Sequence, residues 1–170
     1  MAIRKIHEVG DPCLAKVCRP VTEFNDRLHE LLDDMAETLE EAGGVGLAAP
    51  QVGIIRRACI VVETNVPEGE SEYFIELVNP EIIERDGEQE GGEGCLSLPE
   101  QYGVVKRPNH VKVRAQDRNG NTFEVEGTGL TARCFCHEID HLDGILFTDR
   151  ATHMYTDEEM EELYGGDNKE

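Results

Sequence analysis

Residues 130–144 read LTARCFCHEIDHLDG, and this stretch decides both the fold and the chemistry. Thr131 is a good helix cap, Phe135, Ile139 and Leu142 recur at spacings of three and four, and Gly144 is a natural stop. The pattern predicts a helix running from a Thr131 cap to Gly144. On that helix His137 and His141 lie one turn apart on one face, where both imidazoles can reach the same ion. Glu138 is one residue further on, so its carboxylate can sit beside the ion without binding it and take a proton from water as a general base.

Two imidazoles do not complete a catalytic centre, which usually takes three protein ligands and leaves a position open. Cys134 precedes His141 by seven residues, about 10 Å along a helix axis, too far to share an ion comfortably. Cys134 and Cys136 therefore read as small buried residues. Cys95 sits in EGCLSLP at residues 93–99, where Gly94 frees the backbone and Pro99 halts it, so a turn presents the thiol. Bound to a divalent ion the sulfur is a thiolate, giving a centre of one sulfur and two neutral imidazoles. A core cysteine in an edge strand is the competing reading of Cys95. Two rival centres stay open: a zinc peptidase whose third ligand is Glu159 or Glu161, and a structural zinc closed by four ligands with Cys134 or Cys136.

Working outward, Leu28, Leu31, Leu32, Met35 and Leu39 recur at helical spacing between residues 25 and 42, with Asn25 or Thr22 as cap and Gly43-Gly44 as stop. Residues 43–53, GGVGLAAPQVG, hold four glycines and a proline and predict a loop with close backbone approaches. Stretches 58–63, 73–78, 82–84, 111–115 and 122–125 are rich in β-branched and aromatic residues, and Asn119-Gly120 signals a hairpin in which both residues tolerate positive φ. Residues 66–72 form a polar excursion, 157–163 a short acidic helix and 165–170 a frayed tail. The expected fold is α+β: short, mostly antiparallel sheets packed around a central helix carrying HEIDH, with an N-terminal amphipathic helix and a short C-terminal one. No repeat or linker divides the chain, so residues 1–170 read as a single catalytic domain.

The formal charge of −20, from 16 basic and 36 acidic residues, repels phosphate backbones and argues against nucleic acid as a direct ligand. Apolar runs such as 58–62 are far too short to span a bilayer, and residues 1–14 hold no apolar block before a cleavage site. Six scattered cysteines fit reduced thiols in a cytosol better than a disulfide scaffold. A soluble, unexported protein is expected, with monomer as the default.

Taken together, GVGLAAPQ at 44–51, EGCLSLP at 93–99 and HEIDH at 137–141 closely resemble the three motifs of peptide deformylases, in the same order and spacing. The resemblance runs from the Gly-Asp-Pro near residue 11 to Leu146-Phe147. It implies a cytoplasmic enzyme that removes the formyl group from the N-terminal formylmethionine of nascent polypeptides near the ribosome, yielding formate. It implies ferrous iron as the usual metal, with zinc, nickel or cobalt as possible occupants of a purified sample. By position Cys95, His137 and His141 resemble the family's ligands, Glu138 its general acid and base, and Gln51 with the Leu96 backbone N–H its oxyanion hole. Backbone around Gly46 would pair with an extended peptide, and Val45, Leu130, Cys134 and the wall of His137 would line a methionine pocket. Asp140 or Glu93 would orient a ligand imidazole or hold Arg107. Two features depart from the pattern: Cys136 stands where many relatives have glutamine, and residues 157–162 are acidic where some relatives have a basic final helix.

Overall fold

Residues 2–164 are described in the computed structural model; the tail expected at 165–170 lies outside them. In chain order the elements are a 3-10 turn at Pro12–Ala15, α1 (Asp26–Ala42), β1 (Gly46–Ala48), a second 3-10 turn at Ala49–Val52, β2 (Ala58–Glu63), β3 (Tyr73–Asp86), β4 (Gln89–Cys95), β5 (Leu98–Arg107), β6 (His110–Gln116), β7 (Thr122–Thr128), α2 (Leu130–Leu142), a third 3-10 turn at Phe147–Asp149, β8 (His153–Met154) and α3 (Asp157–Tyr164). One sheet has the order β1-β2-β3-β6-β7 and the other β4-β5-β8, with every strand pair antiparallel. The α+β expectation holds.

Helix α1 forms as its pattern requires. Asn25 caps it by accepting from the Leu28 N–H, and Gly43 ends it at φ 77°, donating its N–H to the Leu39 carbonyl. Its Leu32, Met35 and Leu39 are fully buried against Leu47, Ile60 and Val78. Each such side chain contributes about 1.5–3 kcal/mol of burial free energy. Helix α2 packs on the same sheet through β1, β2 and β7 and reaches β5 of the other. Its approach to β7 requires glycine at 127, where a Cβ would come within 2.7 Å of Thr131 and 2.8 Å of Phe135.

Several local expectations are corrected. Gly129, at φ 57° and ψ −125°, is the N-cap of α2 with no side-chain cap bond. Thr131 instead lies inside the first turn, 1 % exposed, where its hydroxyl donates to the Glu63 carboxylate on β2. Residues 73–78 and 82–84 belong to one long strand, β3, because register shifts against β6 absorb the Asn79-Pro80 interruption. Residues 43–53 are not a plain loop, since β1 pairs with β2 and a 3-10 turn follows. The Asn119-Gly120 connection is wider than a two-residue hairpin: among its residues only Gly120 is left-handed, and the Asp117 carboxylate accepts from the Asn119 and Asn121 N–H groups. EGCLSLP lies across the β4–β5 hairpin, with Cys95 paired to Leu98 after a register shift at Gly94.

Candidate metal centre

The centre is assembled from three elements. Helix α2 supplies His137 and His141, the end of β4 supplies Cys95, and the 3-10 turn after β1 supplies Gln51. One ligand atom from each of Cys95, His137 and His141 lies within 4.8 Å of the other two, and the Cys95 sulfur is 3.3 Å from His141 Nε2. The two imidazoles meet edge to face, their ring centroids 5.0 Å apart. Cys95 is thus brought to the histidines, and Cys134 and Cys136 are not in that set. The carboxylate of Glu159, the rival third ligand, is taken by the His153 ring at 2.8 Å and by the Thr156 N–H at 3.1 Å. Glu161 is exposed.

Glu93 fixes the orientation of His137. Its Oε1 lies 2.6 Å from His137 Nδ1, which leaves Nε2 to face the centre. The same carboxylate accepts from Arg107 at 2.7 and 3.2 Å and from Arg133 at 2.6 Å. Asp140 accepts from Arg107 at 2.7 Å and from Arg150, so it holds Arg107 rather than an imidazole. Of the two roles expected for this pair, Glu93 takes both and Asp140 only the second. Burial opposes ionisation of Glu93, but His137 and Arg107 outweigh it and hold the carboxyl down to about 2.

The electrostatics favour a cation. Burial works against a charged His137 ring, yet Glu138, Cys95 and Glu93 around it push its pKa well above the ordinary imidazole value. Burial and the neighbouring His137 push His141 well below it. An anionic surround that stabilises positive charge at this point is what a divalent ion needs, and metal ligation by histidine uses the neutral ring. Glu138 Oε1 and His141 Nδ1 are buried with no hydrogen-bond partner among the described residues. Unpaired buried polar atoms are costly in a finished interior; Glu138 Oε1 fits a centre that takes an ion, water and substrate, whereas His141 turns Nε2 to the Cys95 sulfur and its Nδ1 away. The residues present fit a single divalent metal.

Glu138 is 4 % exposed, and burial pushes its carboxyl up to about 7. Strand β1 passes directly over it, because a Cβ at Gly46 would run into the Glu138 carboxylate. Gln51 is 1 % exposed and its amide orientation is determined. Oε1 accepts from the Ala48 N–H at 2.9 Å, so the NH2 group must face Ser97 Oγ at 3.0 Å and the Cys95 sulfur at 3.5 Å. Leu96 is half-buried and its side chain lies against the Gly44 backbone. Val45 and Leu130 are exposed, at 37 % and 49 %, whereas Cys134 is buried in an apolar cluster with Phe135 and burial pushes its thiol up to about 12.

Two contributors escaped sequence reasoning. Ser97, fully buried, accepts from Gln51, and Arg133, 6 % exposed, stands on α2 as a partner of Glu93. Arg133 had a legible signal, since it precedes His137 by four residues and so shares the helix face of the two histidines. Ser97 had none beyond its place in EGCLSLP.

A family model for polypeptide deformylase matches residues 3–157. A peptide deformylase of Agathobacter rectalis is 52 % identical over 165 residues, covering 95 % of this chain and all of its own. A solved peptide deformylase from Legionella pneumophila superposes with a TM-score of 0.81 at 45 % identity, over 88 % of this chain and 86 % of that one. Another, a Met-Ala-Ser-bound class I type b peptide deformylase from Acinetobacter baumannii, gives 0.80 at 38 % identity, over 87 % and 99 %.

Proposed function

The chain belongs to the polypeptide deformylase family, and from that premise we propose that it removes the formyl group from N-terminal formylmethionine of nascent proteins, releasing formate and a free amine. The observation that carries this reading is the convergence of Cys95 with His137 and His141 beside a buried glutamate. An ion held by that sulfur and those two rings, ferrous iron in the cell or zinc, nickel or cobalt in its place, would supply Lewis acidity that makes water a nucleophile near neutral pH.

Glu138 would take the proton from the attacking water and pass it to the departing amine. A carboxyl lifted to about 7 is suited to both steps, because it neither holds nor releases the proton too tightly at neutral pH. The Gln51 NH2 group and the Leu96 N–H would donate to the formyl oxygen as negative charge develops on it. Because Ala48 already fixes the Gln51 amide, its donation costs no reorientation during reaction. Loss of such a donor typically costs about 3 kcal/mol in transition-state stabilisation.

Strand β1 lies at an edge of its sheet, so an extended peptide can add to it near Gly46 through main-chain bonds that ignore most of the sequence. Val45, Leu130, Cys134 and the His137 wall are the proposed lining for the methionine side chain. The relative bound to Met-Ala-Ser supports a methionyl peptide as the product class. The span of the family match supports reading the whole chain as one catalytic unit, and we place it, as a monomer, in the cytoplasm. No helix among the described residues is long and apolar enough to cross a membrane.

The test is formate release from a formylmethionyl peptide by protein purified without oxygen, alongside metal analysis. Stoichiometric metal with turnover supports the reading; metal-loaded protein that releases no formate overturns it.

A further inference from the structure

Away from this centre, one other group of donors among the described residues converges closely enough to share an ion. Ligand atoms of His7, Asp11 and Cys13 lie within 4.8 Å of one another. We propose that these residues form a second metal site, for a borderline divalent ion such as zinc or cobalt, that fastens the N-terminal segment across the two loops of the reactive centre.

The three donors are held by backbone bonds as well as by one another, the His7 ring against the Asp11 carboxylate and that carboxylate on the Cys13 N–H. The His7 N–H donates to the Gln51 carbonyl at 2.7 Å, and its ring lies against Gly53, whose Cβ would stand 3.1 Å from Nε2. Gly10, at φ 102°, turns the chain so that the Asp11 N–H reaches the Glu8 carbonyl at 3.1 Å. Asp11 then caps the 3-10 turn at Pro12–Ala15 by accepting from the Cys13 N–H at 3.1 Å, and that turn fixes Cys13. Seven residues therefore deliver a nitrogen, an oxygen and a sulfur to one point. Capping alone would need only the aspartate, and a His7–Asp11 pair at 2.6 Å would not need sulfur at position 13.

The donor set selects the ion. Calcium and magnesium prefer all-oxygen surroundings, whereas one thiolate, one imidazole and one carboxylate suit zinc or cobalt with a fourth position left to solvent. The His7 and Asp11 side chains are 29 % and 36 % exposed, which gives an ion access, and a chain of charge −20 attracts cations.

The site is coupled to the reactive centre by geometry. Besides the bond from His7 to Gln51, the Val9 N–H donates to the Ser97 carbonyl at 2.8 Å. Residues 7–9 thus stitch the 3-10 turn carrying Gln51 to the β4–β5 turn beside Cys95, and an ion on His7, Asp11 and Cys13 locks the end of that stitch.

The full chain, stripped with chelator and titrated with Co(II), should hold about two ions after desalting, and both C13S and H7Q should hold about one. In a C95S background the thiolate-to-cobalt charge-transfer band should persist, and C95S/C13S should lose it. Should C95S fail to fold, the ion counts of the two single variants decide. One ion per wild-type chain, or a second ion undiminished in C13S and H7Q, overturns the proposal.

Discussion

Helices α1 and α2 pack on the same five-stranded sheet, yet they bury themselves in different ways. Seven of the 17 residues of α1 are buried, in a single stripe. Eleven of the 13 residues of α2 are, and they include Thr131, Arg133, His137, Glu138 and His141. Helix α1 is stabilised mainly by apolar area, with Asp34 and Thr38 as its buried polar exceptions, bound by Ala2 and Arg4. Helix α2 carries polar groups that must be satisfied one at a time, by Glu63, by Glu93 and by whatever fills the centre. On the proposed reading burial on α2 serves chemistry, because low exposure is what raises Glu138 to about 7.

Glu138→Ala separates chemistry from stability most clearly. It should lower formate release by about 10³-fold, a loss of about 4 kcal/mol in transition-state stabilisation, while metal content and thermal midpoint stay near wild type. A variant that loses its metal as well would make Glu138 a structural residue like those of α1. Next, Arg133→Met removes one of the two arginines from the buried Glu93 carboxylate. It should cost on the order of 3 kcal/mol in urea unfolding, since a buried charge losing a partner is heavily penalised. Leu32→Ala on α1 should cost about 2–5 kcal/mol, the range for a fully buried leucine, but leave kcat per folded molecule unchanged. A fall in kcat there would mean that α1 also tunes the centre.

The smallest effect concerns pH. Burial opposes ionisation of Asp34 on α1, but the Ala2 N–H and Arg4 hold its carboxyl below the ordinary value of 3.8. A depressed folded-state pKa contributes stability that is complete above 3.8 and is lost as the pH falls below it. Asp34→Asn should therefore flatten the acid limb of the stability curve below about pH 4, measured by circular dichroism, and leave the pH dependence of turnover alone.

The contrast between the helices also explains what was legible in the sequence. Helix α1 is readable in its span and stop, because its apolar stripe answers to one period; of the two caps the sequence offers, Asn25 and Thr22, the structure uses Asn25. Helix α2 was readable through His137, Glu138 and His141, but its start was misplaced at Thr131, which fills a packing role that a residue alone does not reveal. Strands β4 and β5 went unseen. Gln89–Cys95 contains three glycines and three acids or amides, a composition with little strand propensity, and the ladder with β5 rather than any local preference makes it extended. Cys95 is singled out in the sequence nonetheless, by the motif around it, and the fold brings it to His137 and His141. The Arg133–Glu93–Arg107–Asp140 network joins residues from three elements, β4, β5 and α2, and spacing in one dimension does not encode such meetings.

Cys95 stands 46 residues ahead of His141 along the chain, although their side chains touch. No local fragment can gather the donors, so during synthesis the sulfur waits until nearly the whole polypeptide has emerged before it meets either ring. The proposed activity is consequently an all-or-nothing property of a nearly completed chain: a product truncated between Cys95 and α2 keeps the thiol and Gln51 and yet lacks both rings.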